Sequence, residues 1–197
     1  MITAEQVKDL RDRTGAGMME CKKALTESQG DVEQAIDLLR KAGLQKAEKR
    51  AERAADQGLV EAYIHPGNRV GVLIEVNCET DFVARTAEFQ ELVRNLAMQV
   101  AALGAEFVRR EDVPAERIAR EREIYAGQME GQNKPAAIVE KIVEGKLEKF
   151  YAEICLLEQP YMRDDKIKVG ELVTGVSGKT GEKMVVRRFV RFRLGQE

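Results

Sequence analysis

The sequence has 197 residues, of which 44% are hydrophobic and 34% charged, and its formal net charge is −2. This balance is typical of a globular protein that buries its own core, and it excludes a global basic field that would attract nucleic acid or a membrane. The three cysteines form no C-x-x-C pair, so we expect reduced thiols and neither a disulfide framework nor a zinc site.

The first ten residues, MITAEQVKDL, lack the apolar core of a signal peptide. No apolar run in the sequence approaches the length of a membrane span. We therefore expect a cytoplasmic protein without a membrane partner.

Residues 1–43 are predicted to form three short helices. Thr3 and Gln6 have the spacing of a capping box at the start of the first helix. Asp31 is the predicted cap of the third helix, and Gly43 is its predicted end. Three helices joined by two short loops predict a compact bundle of the ubiquitin-associated type, which is a typical recognition module.

A glycine corner and two methionines separate the first two predicted helices, in the stretch RTGAGMM at residues 13–19. Successive residues of a helix point about 100° apart, so Met18 and Met19 cannot both face one core. Two readings remain open from the pattern alone. One is an ordinary exposed methionine, and the other is a soft apolar contact that adapts to a partner's groove.

The highly charged segment 44–57 is predicted to be a semi-flexible linker. Its composition favours a helix, but like charges recur four residues apart, as in Lys46 with Arg50 and Glu48 with Glu52. An RNA-binding basic patch is the alternative, which the acidic residues weaken. The linker leaves residues 58–197 as the larger domain.

The larger domain is predicted to be α+β. Residues 59–64 and 70–76 alternate apolar and other side chains, and a turn at 65–68 joins them into an antiparallel hairpin. Residues 184–194 alternate in the same way and are predicted to add a third strand. Helical stripes lie at 87–103, after Pro114, after Pro135 and around Val169. Because no strand–helix–strand series repeats, we expect helices covering one face of a three-stranded antiparallel sheet.

The corner, which we define as residues 80–85 (TDFVAR), lies between the second strand and the long helix. Turns normally expose small polar residues, so Phe82 needs an explanation. It could fold back onto the core while Asp81 caps the helix, or it could be presented to a partner.

The sequence shows no clear set of catalytic or nucleotide-binding residues. Residues 175–180, GVSGKT, resemble a phosphate-binding loop, but the first glycine of that motif would fall at Val173. The single histidine has no visible acid, base or nucleophile partner. The last predicted strand carries four arginines, for which an edge strand protected by charge is a simpler explanation than RNA contact. We therefore expect a binding protein that is not an enzyme and has no cofactor.

Four stretches together resemble the bacterial elongation factor Ts family, in its short form: RTGAGMM, CKKAL at 21–25, NCETDFVAR at 77–85 and VVRRF at 185–189. The resemblance runs from near residue 1 to these last residues. It implies a guanine-nucleotide exchange factor for elongation factor Tu, and a helical hairpin after Pro114. The contrasting hypothesis is a ubiquitin-associated-like bundle carried by a structural or RNA-associated protein.

The resemblance also implies which residues act. Thr80, Asp81, Phe82 and Val83 would displace the magnesium ion of elongation factor Tu in its GDP form, with Phe82 as the wedge. Three residues of the bundle, Arg11, Met18 and Met19, would bind the same partner. The short length implies a homodimer through the sheet domain, and the resemblance implies no direct contact with nucleic acid.

Overall fold

The computed structural model describes residues 2–129 and 134–196. Their contacts divide the chain into two compact units that interleave along the sequence. The first unit comprises Met1–Glu61, Glu75–Arg94 and Glu171–Arg187, and the second comprises Ala62–Ile74, Asn95–Gly170 and Arg188–Glu197. The predicted division into consecutive ranges, 1–43, 44–57 and 58–197, stays a prediction.

The N-terminal bundle consists of α1 (Ala4–Thr14), α2 (Met18–Glu27) and α3 (Val32–Arg50). The predicted capping box is present, because the N–H of Thr3 donates to Gln6 Oε1 and the N–H of Gln6 donates to Thr3 Oγ. The core of the bundle is small and contains Val7, Leu10, Cys21, Ala24, Leu25 and Ala35. Asp31 caps α3 as predicted, accepting the N–H of Gln34 at 3.0 Å.

The predicted end of the third helix at Gly43 is wrong, because α3 continues to Arg50. A single glycine inside a helix costs only about 0.5–1 kcal/mol relative to alanine, so it does not by itself end one. Half of the predicted linker is therefore helical. The end of α3 is held from far along the chain: the Arg50 guanidinium donates to the carbonyl of Ser177 at 3.3 Å.

The predicted sheet is present, with strand order β1–β2–β5. Its strands are β1 (Gln57–Ile64), β2 (Val70–Cys78) and β5 (Val185–Arg193). The turn between β1 and β2 is closed by the N–H of His65, which donates to the carbonyl of Val70 at 2.9 Å. Alternation along β2 buries Val72, Ile74 and Val76, whereas Val60 and Ile64 of β1 lie on an exposed face.

The remaining α-helices and strands of the described chain are α4 (Asp81–Ala84), α5 (Ala87–Leu103), α6 (Ala115–Gly127), α7 (Ala136–Ile154), β3 (Pro160–Tyr161), β4 (Asp164–Lys168) and α8 (Val169–Thr180). In the second unit α6 packs against α7, as the predicted helical hairpin requires, and Arg122 of α6 pairs with Glu144 of α7 at 2.6 Å. Among the described residues, no helix has the length and apolarity needed to cross a membrane. The fold is α+β, as predicted.

Candidate functional site

The corner is a one-turn helix, α4, capped at its first end by Thr80. The backbone of Thr80 is extended, and its hydroxyl accepts the N–H of Val83 at 3.3 Å. At the other end the Thr86 hydroxyl donates to the carbonyl of Val83 at 2.7 Å. It also accepts the N–H of Phe89, in the first turn of α5. The corner is therefore fixed by threonine hydroxyls on both sides.

Phe82 is 80% exposed, although its neighbours on either side of the turn pack inward. Ala84 is buried, and Phe89, one turn into α5, is completely buried. The reading in which Phe82 folds back onto the core is therefore wrong for this structure. A benzyl side chain left in water forgoes roughly 1.5–3 kcal/mol of burial free energy, so its exposure on a capped turn makes Phe82 a candidate contact residue.

Asp81 does not cap the helix, because Thr80 occupies the cap position. Asp81 is the first residue of α4, and its carboxylate pairs with the Arg85 guanidinium at 2.8 Å. Both side chains are largely exposed, so the pair contributes at most about 1 kcal/mol. Asp81 thus remains available to a partner at little energetic cost.

Two glutamates join the corner to the loop after α8, and we call this arrangement the clasp. The Glu182 carboxylate accepts the N–H groups of Glu79 and Thr80 at 3.1 and 3.0 Å, and the Thr80 hydroxyl at 2.6 Å. In return, the Glu79 carboxylate accepts the backbone N–H of Lys183 at 2.6 Å. Each segment thus places a carboxylate on the backbone of the other.

The hydrogen bond from the Lys183 N–H, helped by Arg53 beside it, lowers the pKa of the Glu79 carboxyl group. Arg53 lies just beyond α3, and its guanidinium is 3.3 Å from Glu79 Oε1. The Lys183 ammonium donates to the carbonyls of Ala51 and Arg53 at 2.7 and 2.8 Å. The clasp therefore also holds the chain where it leaves the bundle.

Arg11, Met18 and Met19 are all exposed on the bundle. Met18 is 49% and Met19 75% exposed, so the expectation that at least one of the tandem methionines faces solvent is confirmed. The left-handed backbone of Gly15, with φ of 67°, ends α1 and starts the tight corner that leads to them. Its N–H donates to the carbonyl of Arg11 at 2.6 Å.

Lys179 of α8 lies against this glycine corner. A β-carbon added at Gly15 would meet the Lys179 side chain, and the Lys179 ammonium pairs with Glu88 of α5 at 3.1 Å. One side chain therefore touches both the loop before the methionines and the helix after the corner. The four predicted residues of the corner are contiguous, whereas Arg11, Met18 and Met19 form a second exposed group on α1 and α2.

The sequence alone did not point to the two carboxylates of the clasp, those of Glu182 and Glu79. Glu79 directly precedes the corner, and this position is the one local signal that could have singled it out. Nothing in the sequence pairs it with residues more than one hundred positions away.

The cysteines are buried and free, as expected for reduced thiols. Burial raises the pKa of Cys155 to about 11 and also raises the pKa of Cys78. The Cys78 thiol donates to the carbonyl of Thr80 at 3.1 Å, so it acts as a weak structural donor under the corner.

Comparison with known proteins identifies the family. The family model described as Elongation factor TS matches residues 3–196. The chain is 58% identical to Elongation factor Ts of Carboxydothermus hydrogenoformans over 196 residues, which is 100% of this chain and 90% of that protein. It is 60% identical to Elongation factor Ts of Moorella thermoacetica, again over 100% of this chain and over 97% of the relative. The chain therefore belongs to the elongation factor Ts family of nucleotide-exchange factors in translation elongation.

Proposed function

We propose that the chain binds elongation factor Tu in its GDP form and accelerates the release of GDP, so that GTP replaces it. The proposed place of action is the cytoplasm. The chain carries out no covalent chemistry of its own in this mechanism. Its contribution is a rigid surface that binds one conformation of the partner better than another.

The observation that carries this proposal is the exposed ring of Phe82 on a turn fixed at both ends. A ring held by a rigid backbone enters a partner without first losing conformational freedom, which favours binding. In the proposed mechanism Phe82 inserts beside the nucleotide pocket of elongation factor Tu, with Asp81 next to it. Thr80 and Val83 set the geometry of the turn, and the insertion displaces the segment that holds magnesium.

Thermodynamic linkage constrains this mechanism. If the factor weakens GDP binding, GDP must weaken binding of the factor by the same free energy. Rebinding of a nucleotide then releases the factor, so a single surface serves repeated rounds of exchange.

The proposal is tested with purified elongation factor Tu carrying fluorescently labelled GDP. We expect the chain to increase the rate of GDP release when unlabelled nucleotide is in excess, with saturation as its concentration rises. A release rate equal to that of elongation factor Tu alone, at every concentration, would contradict the proposal.

We propose that Arg11, Met18 and Met19 supply affinity and not the displacement itself. Truncation of Met19, the more exposed methionine, to alanine should raise the half-saturating concentration about 5–30-fold, which corresponds to about 1–2 kcal/mol. The maximal rate of GDP release should stay within about twofold of the parent's. Saturation curves of release rate against factor concentration separate these two quantities.

Met162→Ala is the matched control for this experiment, because Met162 is also an exposed methionine, at 46%, but lies in the turn between β3 and β4. Its half-saturating concentration should equal the parent's. A Met19→Ala variant that lowers only the maximal rate would show that the bundle acts in displacement, contrary to the proposal.

We also propose a homodimer through the sheet domain. Within the second unit, the exposed apolar side chains Ile64, Leu73, Phe192 and Leu194 line one shallow groove at the sheet. A contiguous apolar patch of this kind is typical of a protein interface, and a two-fold dimer would cover it with its own copy.

Light scattering tests the dimer. At micromolar concentration we expect twice the chain mass of 22.1 kDa. Phe192→Asp should shift the mass to that of one chain, because a charge would enter the apolar interface. Ile138→Asp, at an exposed residue of α7, is the control and should leave the mass unchanged. A parent chain that scatters as a monomer would contradict the proposed dimer.

A further inference from the structure

We infer that Glu182 is a positioning residue for nucleotide exchange, because its carboxylate holds the turn that presents Phe82. This inference rests on the proposed function. It assigns a role to a residue 100 positions away from Phe82 in the sequence, on the loop that follows α8.

Packing does not hold the Phe82 side chain in place. A side chain that is 80% exposed makes few contacts within its own chain, so its position depends on the backbone that carries it. That backbone is α4, a helix of four residues. Helices this short have almost no stability of their own, because forming the first turn costs more entropy than a single hydrogen bond recovers. Capping groups therefore decide whether the turn exists.

Glu182 orients the Thr80 hydroxyl, which is the principal cap of this turn. The Thr80 hydroxyl has one proton, which it donates to Glu182 Oε1 at 2.6 Å. The lone pairs of the hydroxyl oxygen then face Val83, whose N–H donates to that oxygen at 3.3 Å. Hydrogen bonds in such a chain polarise one another, and a carboxylate at the end makes them stronger. Without the carboxylate, the hydroxyl can turn toward other acceptors and the cap is weakened.

Glu182 also restrains the residues that lead from β2 into the turn. Glu182 Oε2 accepts the N–H groups of both Glu79 and Thr80, which fixes the two peptide groups before α4. The loop that carries Glu182 is fixed in turn, because the Ser177 hydroxyl donates to the carbonyl of Glu182 at 2.6 Å. One carboxylate therefore restrains three donors of the segment 79–80, and its own backbone is anchored to α8.

The test measures labelled GDP release from elongation factor Tu over a range of factor concentrations. Glu182→Ala should lower the maximal rate about tenfold, which is the effect expected from losing hydrogen bonds to a charged group. The half-saturating concentration should change less than about threefold, since Arg11, Met18 and Met19 are unaffected. Circular dichroism with thermal melting tests whether the variant is folded under the assay conditions.

Two further variants keep the test decisive. Glu182→Gln keeps one oxygen that can accept the two backbone N–H groups, but its amide NH2 group cannot accept the Thr80 hydroxyl proton. It should therefore be folded even if Glu182→Ala is not, and it should recover only part of the lost rate. Lys183→Ala is the matched structural control. It removes the ammonium bonds to the carbonyls of Ala51 and Arg53 but keeps the backbone N–H that Glu79 accepts. It should retain the parent's maximal rate within about twofold.

A double-mutant cycle with Phe82→Ala separates positioning from general stability. If Glu182 acts through the ring, Glu182→Ala should change the rate less than about twofold in a chain that already lacks Phe82. Equal tenfold losses in both backgrounds would overturn the inference, and so would a Lys183→Ala variant as slow as Glu182→Ala.

If Phe82→Ala slows release and Glu182→Ala does not, the proposed function stands and this inference alone fails. If Phe82→Ala releases GDP as fast as the parent, the proposed role of Phe82 fails and the inference fails with it.

Discussion

Phe82→Ala should lower the maximal rate of stimulated GDP release about 5–150-fold, the range that corresponds to about 1–3 kcal/mol of coupling between two sites. The physical reason is that the ring is the largest apolar group exposed on the corner. The fold should be unaffected, because a side chain that is 80% exposed contributes little to the core. Release of labelled GDP at saturating factor concentration measures the effect.

Two comparisons sharpen this experiment. Phe82→Leu retains apolar volume and should be intermediate between parent and alanine variant. Leu103→Ala removes a half-exposed apolar side chain at the far end of α5 and should behave as the parent does. A Phe82→Ala variant with the parent's maximal rate would show that the ring does not act in displacement.

Gly58→Ala should destabilise the chain by about 2–5 kcal/mol, from backbone strain and overpacking together. Gly58 has a φ of 144°, which side-chain-bearing residues rarely adopt. A β-carbon there would lie 2.1 Å from the carbonyl oxygen of Val76 and 2.7 Å from the α-carbon of Asn77. Both of these atoms belong to the backbone of β2 shortly before the corner, so no side chain can move aside. Chemical denaturation measures the free energy of unfolding.

Gly43→Ala is the matched control for Gly58→Ala. Gly43 lies inside α3, and a β-carbon there would meet nothing within 4 Å. We expect this variant to be about 0.5–1 kcal/mol more stable than the parent, because alanine loses less conformational freedom in a helix. A Gly58→Ala variant as stable as the parent would contradict the close approach of β1 to β2.

Local patterns predicted most of the elements because the signals lie within a few residues of each other. The Thr3 and Gln6 capping box, the Asp31 cap and the alternation of β1, β2 and β5 are all of this kind. The short pair β3–β4 was not predicted. Its second strand begins with two aspartates, which strands usually disfavour, and its first strand has only two residues.

The sequence patterns fall short where contacts between residues far apart in the sequence determine the local structure. Like charges along 44–57 predicted a linker, but α3 runs through half of it and is held at its end by Arg50 on Ser177, 127 positions away. The sequence pattern likewise left Phe82 with two possible orientations. The structure exposes the ring, and the clasp that fixes its turn joins Glu79 and Thr80 to residues 182 and 183. No periodicity or spacing within the sequence could have indicated that pairing.

The proposed mechanism requires that the ring at position 82 leaves water and enters elongation factor Tu. The chain contains no tryptophan, so Phe82→Trp introduces its only indole. The emission of the variant's complex with elongation factor Tu–GDP, minus that of the parent's complex, isolates the signal from position 82. Release of labelled GDP by the same variant shows whether it is active.

The most direct measurement is therefore the emission maximum of this indole before and after elongation factor Tu–GDP is added. In the free chain it should be that of a tryptophan in water, since the site is exposed. On binding we expect a shift to shorter wavelength, because the indole becomes buried in an apolar site. An active complex in which the emission stays that of a water-exposed indole would contradict the account.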